Sequence, residues 1–220
     1  MHKPEIESKT LLLVAGPSGA GKTVLITQFR AGKLDPGIRK YLPDKAEAWP
    51  QIGANDCMKR GVGIEAVLPR DWSAPGGVVH YDTAYIHRFG LTRYEQDPIA
   101  ELFDTAGRLI IVSISPSAAA LKAQFDDRRA RQLSDKKPSH LFWKTYVRRP
   151  IEKTINRLKR IDPRETRELY QDPEWVNRCT AAWTDFARRL VSRKPGSRLI
   201  VLKPVLDTQG NETFGVISDD

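Results

Sequence analysis

Cysteine is scarce in this sequence, and long apolar runs are absent. Cys57 and Cys179 are the only cysteines among 220 residues. Their wide separation argues against a disulfide framework or a CxxC zinc site, so we expect buried thiols in a reducing compartment. No apolar stretch approaches the roughly 20 residues that a membrane-spanning helix needs. The amino-terminal MHKPEIESKT contains acids and a proline and makes a poor signal peptide. The sequence therefore predicts a cytoplasmic protein without membrane insertion.

Internal repeats and low-complexity segments are also absent. With 40% hydrophobic and 29% charged residues, the chain can bury a sizeable core, and 220 residues fit one domain. We therefore expect a single domain over residues 1–220. A helical, lid-like insertion is predicted within it at residues 122–170.

The positive charge of the chain is concentrated in that insertion. The formal net charge is +9, and residues 122–167 contain 15 Lys and Arg but only 6 Asp and Glu. The rest of the chain is neutral as a whole. A concentrated positive field of this kind indicates an anionic ligand or partner.

Short apolar strands alternate with amphipathic helices along the chain. The predicted strands are residues 10–15, 62–68, 78–82, 108–114, 199–206 and 213–218. The predicted helices are residues 22–30, residues 99–106 after the capping signals of Asp97 and Pro98, and further helices that start near Ser115, Pro150 and Pro173. This alternation predicts an α/β fold with three αβα layers and a mainly parallel central sheet. The last two strands form a predicted hairpin with an antiparallel edge strand.

Residues 16–23 read GPSGAGKT and satisfy the pattern G-x-x-x-x-G-K-[ST] between a predicted strand and a predicted helix. Glycines let the backbone curl until successive N–H groups surround phosphate oxygens, and the following helix adds unpaired N–H groups and the positive end of its dipole. In this pattern the lysine reaches the terminal phosphates and the final hydroxyl ligates Mg²⁺. The predicted phosphate-binding residues are Gly16, Ser18, Gly19, Ala20, Gly21, Lys22 and Thr23.

This loop resembles the Walker A motif of the P-loop NTPase superfamily. The residues of this loop are similar to those of guanylate-kinase-like and other small P-loop kinases. The resemblance is specific over these eight residues and only architectural elsewhere. It implies a fold of the P-loop NTPase type and the binding of ATP or GTP together with Mg²⁺.

Two aspartates are candidates for the carboxylate that helps to hold Mg²⁺. P-loop proteins usually have this carboxylate at the end of a buried strand. Asp82 closes the apolar run Val78–Tyr81, whereas Asp104 begins DTAG, a tetrapeptide that many GTPases carry at their γ-phosphate switch. The residues before Asp104 have helical spacing and a strong strand follows at once, which leaves no room for a switch helix. No Asn-Lys-x-Asp motif follows either. We therefore predict that Thr23 and Asp82 hold Mg²⁺, with the alternative that Asp82 is the base that orients an acceptor hydroxyl.

The basic segment offers candidate catalytic arginines. Arg128 and Arg131 stand where the lid of a small P-loop kinase would begin, and arginines that close over the phosphates stabilise the charge of phosphoryl transfer. An alternative interpretation is a basic helix face exposed to solvent. A third is nucleic-acid binding, because Phe142, Trp143 and Tyr146 lie among the basic residues. The third is not favoured, since no nucleic-acid-binding module is recognisable.

The resulting hypothesis is an enzyme, an ATP-dependent phosphotransferase of the P-loop kinase type. It would use Mg²⁺ and act on a small hydroxyl- or phosphate-bearing acceptor. One alternative is an ATPase or GTPase switch with a macromolecular partner, which would use the DTAG residues. Another is a nucleic-acid-associated NTPase that uses the basic segment. His80 and His87 flank Asp82 but are weaker candidates for proton transfer, because no paired base or nucleophile motif accompanies them.

Overall fold

A computed structural model provides the structure of the protein and describes residues 6–54, 64–70, 72–83, 94–97, 99–124, 126, 173–206 and 212–219. The chain divides into two compact units. The first contains Met1–Pro116 and Cys179–Asp220, and the second contains Ser117–Arg178. The sheet and the glycine-rich loop belong to the first unit. In the second unit, residues 118–124 are helical.

The first unit is built on a six-stranded sheet with the strand order β2-β3-β1-β4-β5-β6. All neighbouring strands are parallel except β6, which pairs antiparallel with β5. The strands are β1 Thr10–Gly16, β2 Gln51–Ile52, β3 Gly76–Asp82, β4 Arg108–Ile114, β5 Arg198–Leu206 and β6 Glu212–Asp219.

Four α-helices have defined bounds. They are α1 Lys22–Arg30, α2 Pro36–Arg39, α3 Ala100–Thr105 and α4 Pro173–Ser192, and short 3₁₀ turns occur at Ala46–Ala48, Ile64–Ala66 and Tyr94–Gln96. None of the helices seen in the described ranges is both long enough and apolar enough to cross a bilayer. The predicted helix that starts near Pro150 lies outside the described residues.

Helices cover both faces of the sheet. In β1, Leu11 and Leu13 belong to one apolar cluster, and Leu12 and Val14 belong to another, because successive side chains of a strand point to opposite faces. The first cluster includes residues of α3 and α4, and the second includes residues of α1. A parallel sheet needs this double cover, since its central strands are apolar on both sides.

The predicted fold class is confirmed as an α/β arrangement with a mostly parallel sheet. The antiparallel hairpin at the carboxyl-terminal end is confirmed as well, with Leu202 opposite Val216. The predicted strand at 62–68 is wrong, because Ile64–Ala66 form a 3₁₀ turn in which Ile64 is buried and Ala66 is exposed. A turn can bury a single isoleucine as well as a strand can. Alternation of apolar and polar residues over so short a segment therefore does not distinguish a strand from a turn.

One strand was missed by sequence analysis. The two-residue strand Gln51–Ile52 pairs with Val78 and Val79 of β3. Two residues are too few for any periodic pattern, so only pairing with β3 defines this strand.

A buried hydrogen bond joins α4 to the centre of the sheet. The indole Nε1 of Trp183 donates to Oγ of Ser113 in β4 at 3.0 Å, and both residues are at most 2% exposed. The Trp183 ring also packs on Tyr81 of β3, with ring centroids 5.1 Å apart. This single tryptophan therefore connects α4 to two strands at once.

Replacing the acceptor of this bond should destabilise the fold. We expect Ser113→Ala to lower the free energy of unfolding by about 1–3 kcal/mol, because the buried indole N–H loses its partner. Urea unfolding followed by tryptophan fluorescence measures this loss. Ser192→Ala is the matched control, since Ser192 is exposed at the end of α4, and it should change stability by less than about 0.5 kcal/mol. Equal effects of the two substitutions would contradict the assignment.

Candidate functional site

The glycine-rich loop lies at the point in the sheet where the strand order reverses. After β1 the chain moves to the β3 side of the sheet, and after β4 it moves to the β5 side. The carboxyl ends of β1 and β4 therefore form a topological switch point, the position at which open α/β sheets generally bind ligands. Residues 17–21 connect the end of β1 to the start of α1 at this position.

Two glycines give this loop its shape. Gly19 has φ 85° and Gly21 has φ 86°, which is the left-handed region that glycine adopts without steric cost. The amide of Ala20 donates to the Pro17 carbonyl at 3.1 Å and closes a tight turn between them. The loop also packs closely on β4, because a Cβ at Gly16 would lie 2.8 Å from the Ile114 carbonyl oxygen.

The first turn of α1 begins without a side-chain cap. Gly21 is its N-cap residue and supplies no side-chain acceptor, and the first turn contains no acidic residue. A helix start of this kind keeps unpaired N–H groups and the positive end of the helix dipole available to an anion. The loop and the helix start thus both favour negative charge at the same edge of the sheet.

Lys22 is buried at this edge rather than extended into solvent. It is 4% exposed, and its Nζ donates to the carbonyl oxygens of Gly16 at 2.9 Å and of Pro17 at 2.8 Å. Asp82 Oδ2 lies 4.0 Å from the same Nζ, and Asp82 is 5% exposed. The parallel register pairs Gly16 with Asp82 and so brings the carboxylate to the loop. Charged groups this deeply buried are stable only when paired, which explains the contact.

The remaining predicted loop residues fall into three groups by exposure. Gly16, Gly19 and Ala20 are buried, and Ala20 belongs to the apolar cluster beneath α1. Ser18 and Gly21 are half-buried, and Thr23 is exposed in the first turn of α1. Thr23 is therefore open to solvent, whereas Gly16 and Gly19 are shielded from it.

Asp104 is not brought to this loop. It is exposed on the last turn of α3, where Nζ of Lys194 donates to the carbonyl oxygens of Asp104 and Ala106 at 2.6 Å each. The next residue, Gly107, donates to the carbonyl of Lys9 just before β1 begins. This is the amino-terminal edge of the sheet, and β1 separates it from the loop by about 20 Å at 3.3 Å per residue. Of the two competing aspartates, only Asp82 lies beside Lys22.

The lid arginines, the two histidines and the cysteines complete the set of candidate residues. Arg128, Arg131 and His87 lie outside the described residues, as does most of the predicted insertion at 122–170. His80 is half-buried in β3. Cys179 is buried and forms no disulfide, as expected, whereas Cys57 lies outside the described residues.

Similarity to known proteins does not add to this picture. No protein-family model matches the chain, and no curated protein matches it either. The site is therefore defined by its own geometry. Its elements are the glycine-rich turn, the start of α1 and the buried contact between Lys22 and Asp82.

A cleft that sequence analysis did not predict lies at the amino-terminal edge of the sheet. Its volume is about 820 Å³, and acidic and basic side chains line it together. They include Glu7, Glu95, Asp97, Glu101, Asp104, Arg193 and Lys194. Burial lowers the pKa of Lys194. These residues come from distant segments and share no spacing, so no sequence signal groups them.

Asp97 sits at the inner wall of this cleft and is held by two donors. Its Oδ1 accepts from the Ile99 amide at 3.0 Å, in agreement with a capping role just before α3, and its Oδ2 accepts from the Tyr81 hydroxyl at 2.7 Å. Burial raises the pKa of the Asp97 carboxyl, although both hydrogen bonds oppose the shift. Burial also raises the pKa of Tyr81, and the nearby Asp97 charge adds to the effect.

The raised pKa of Asp97 predicts a pH dependence of stability. The folded state binds this proton more tightly than the unfolded chain, so the free energy of unfolding should fall as pH rises from the ordinary value of 3.8 through the folded-state pKa. In Asp97→Asn this fall should be absent. In Tyr81→Phe it should extend to higher pH, because a donor to the carboxylate is lost. Urea unfolding across this pH range measures all three proteins, and parallel pH profiles for wild type and Asp97→Asn would contradict the prediction.

Proposed function

We propose that this chain binds a nucleoside triphosphate with Mg²⁺ at residues 16–23 and transfers a phosphoryl group to a small hydroxyl- or phosphate-bearing acceptor. The observation that carries the proposal is the buried Lys22, whose Nζ lies 4.0 Å from Asp82 beside a glycine-rich turn at the carboxyl end of β1. The pattern GPSGAGKT and its resemblance to the Walker A motif support the same conclusion.

Phosphate binding follows from the loop and from Lys22. The loop has little side-chain bulk, so phosphate oxygens can approach its backbone amides. The Lys22 ammonium group bonds to two loop carbonyls and faces one carboxylate. We expect it to exchange these carbonyl partners for phosphate oxygens, because a doubly charged phosphate is a stronger acceptor than a neutral carbonyl. This lysine would then stabilise the charge that develops during transfer.

Thr23 and Asp82 have the donor chemistry that Mg²⁺ prefers. A hydroxyl and a carboxylate are hard oxygen ligands, and Mg²⁺ is usually held by one or two carboxylates together with substrate phosphates and water. Where the chain is described, no cluster of three or more His, Cys, Asp or Glu forms a complete metal site. We expect the metal ion to arrive with the nucleotide, whose phosphate oxygens supply further ligands. When bound, Mg²⁺ neutralises charge on the phosphate oxygens.

The remaining catalytic roles rest on the sequence. Arg128 and Arg131 are proposed to stabilise the transferring phosphoryl group, as arginines of a lid do in small P-loop kinases. Asp82 is proposed either as the carboxylate that orients Mg²⁺ or as the base that orients the acceptor hydroxyl. Both roles are compatible with its burial at the end of β3.

The alternative functions have less support. A nucleotide switch that uses Asp104 would need this acid at the phosphate loop, and Asp104 lies at the opposite edge of the sheet. Nucleic-acid binding by the basic segment stays a prediction, because its aromatic and basic residues lie outside the described residues. Phosphoryl transfer to a small acceptor is therefore the function that the described geometry supports best.

Removing the lysine should abolish tight nucleotide binding. We expect Lys22→Ala to weaken MgATP or MgGTP binding at least about tenfold, since a charge-assisted bond to phosphate contributes about 1.5–3 kcal/mol. Isothermal titration calorimetry measures the affinity. Lys33→Ala is the matched control, because Lys33 is exposed after α1, and its affinity should equal that of the wild type. Identical binding by wild type and Lys22→Ala, or none by wild type, would refute the proposal.

A pair of aspartate variants tests which edge of the sheet carries the catalytic site. Asp82→Asn should lower turnover at saturating Mg²⁺ about a hundredfold if Asp82 is the base. If it orients the metal, the Mg²⁺ requirement should rise about tenfold or more. Asp104→Asn should leave both quantities unchanged. The assay follows labelled ATP against a panel of small hydroxyl- and phosphate-bearing acceptors, and nucleotide consumption should match acceptor consumption. A larger effect of Asp104→Asn would favour the switch alternative.

A further inference from the structure

An aromatic ring from the carboxyl-terminal hairpin packs directly against the phosphate loop. A Cβ placed on Gly21 would lie 3.1 Å from Cζ and 3.3 Å from Cε1 of Phe214. Phe214 is only 5% exposed and belongs to the apolar cluster that includes Ala20 and Leu25. Its ring therefore touches the residue at which the loop ends and α1 begins.

The hairpin reaches the loop because it extends past the end of β4. The pairing between β4 and β5 ends at Ile114 and Leu202, whereas β5 and β6 continue to pair as far as Leu206 and Glu212. Phe214 lies opposite Pro204 in this extension, beyond the last β4 pair. Proline removes a backbone donor and is suited to such a stretch, where β5 has only one neighbouring strand.

The contact bears on Gly21, which sets the direction of two peptide groups. Its φ of 86° fixes how the amides of Gly21 and Lys22 are oriented relative to each other. Glycine is the residue that leaves such a conformation most readily, since it has more accessible backbone states than any other. Gly21 has no side chain of its own with which to hold this geometry. A neighbouring ring can supply the restriction by packing.

We infer that Phe214 is a positioning residue for the nucleotide's phosphates, acting through Gly21. The inference rests on the proposed function, because it assigns to Phe214 the task of holding the loop amides ready for phosphate. Preorganisation of this kind improves affinity by reducing the ordering cost of binding. The amides contact the phosphates in both ground and transition states, so the loss of the ring should weaken nucleotide binding while kcat stays nearly unchanged.

The chain offers a matched control in the same apolar cluster. Phe29 is 3% exposed on the last turn of α1, in the cluster that contains Phe214 but at the other end of the helix. Phe214→Leu and Phe29→Leu remove the same atoms from the same core. Both should lower the thermal midpoint of unfolding. Only Phe214→Leu should weaken binding of MgADP and of inorganic pyrophosphate with Mg²⁺, by about tenfold.

A second variant keeps the volume of the ring. In Phe214→Tyr the added hydroxyl would project from Cζ, the ring atom nearest to the position that a Cβ of Gly21 would occupy. It should therefore disturb the loop and weaken pyrophosphate binding even if stability is close to that of the wild type. This variant tests the inference should Phe214→Leu fail to fold.

The outcomes separate the inference from the proposed function. If the wild type binds neither MgADP nor pyrophosphate, the proposed function fails and the inference fails with it. If the wild type binds both and the two leucine variants weaken them equally, Phe214 has only a structural role and the inference alone is overturned. It is also overturned if Phe214→Leu weakens MgADP but not pyrophosphate, because the ring would then act on the nucleoside. Selective weakening of both ligands in the Phe214 variants supports it.

Discussion

The parallel pairing of β1 between β3 and β4 is the constraint on which the rest of the structure depends. Every residue from Leu11 to Gly16 is buried, so β1 is stable only with a strand on each side and helices on both faces. That demand is met by alternate side chains that join two apolar clusters, one with α1 and one with α3 and α4. Because β1 is held so firmly, the loop that follows it has a fixed starting point.

The same pairing explains why a lysine and an aspartate are buried together. The register between β1 and β3 places Asp82 opposite Gly16. The glycine-rich turn after β1 then brings the Lys22 side chain back to Gly16. The buried ammonium group is stabilised by two carbonyls and one carboxylate. An arrangement of this kind stabilises the fold little, since burying charge costs about as much as the pairing returns. Its presence is better explained by the proposed exchange of these partners for phosphate.

The two edges of the sheet have different characters. At the carboxyl edge, glycines and a helix start favour negative charge, and Phe214 of the hairpin packs against Gly21. At the amino edge, Lys194 and Gly107 donate to backbone carbonyls, so the groups there hold the end of α3 against the segments that follow α4 and precede β1. We expect the cleft at this edge, with the buried Asp97, to affect stability and its pH dependence rather than the proposed chemistry.

Local pattern was enough to predict most elements and to single out the glycine-rich loop, because apolar spacing, helix caps and the glycine-lysine motif are short-range signals. The sequence by itself determined the α/β class, the antiparallel hairpin and the residues 16–23 as candidates. Only the tertiary structure decided that Asp82 rather than Asp104 faces Lys22, that residues 64–66 form a turn, and that Phe214 packs on Gly21. These features depend on strand order and register. Pairing between distant segments sets both, and local spacing in the sequence does not encode them.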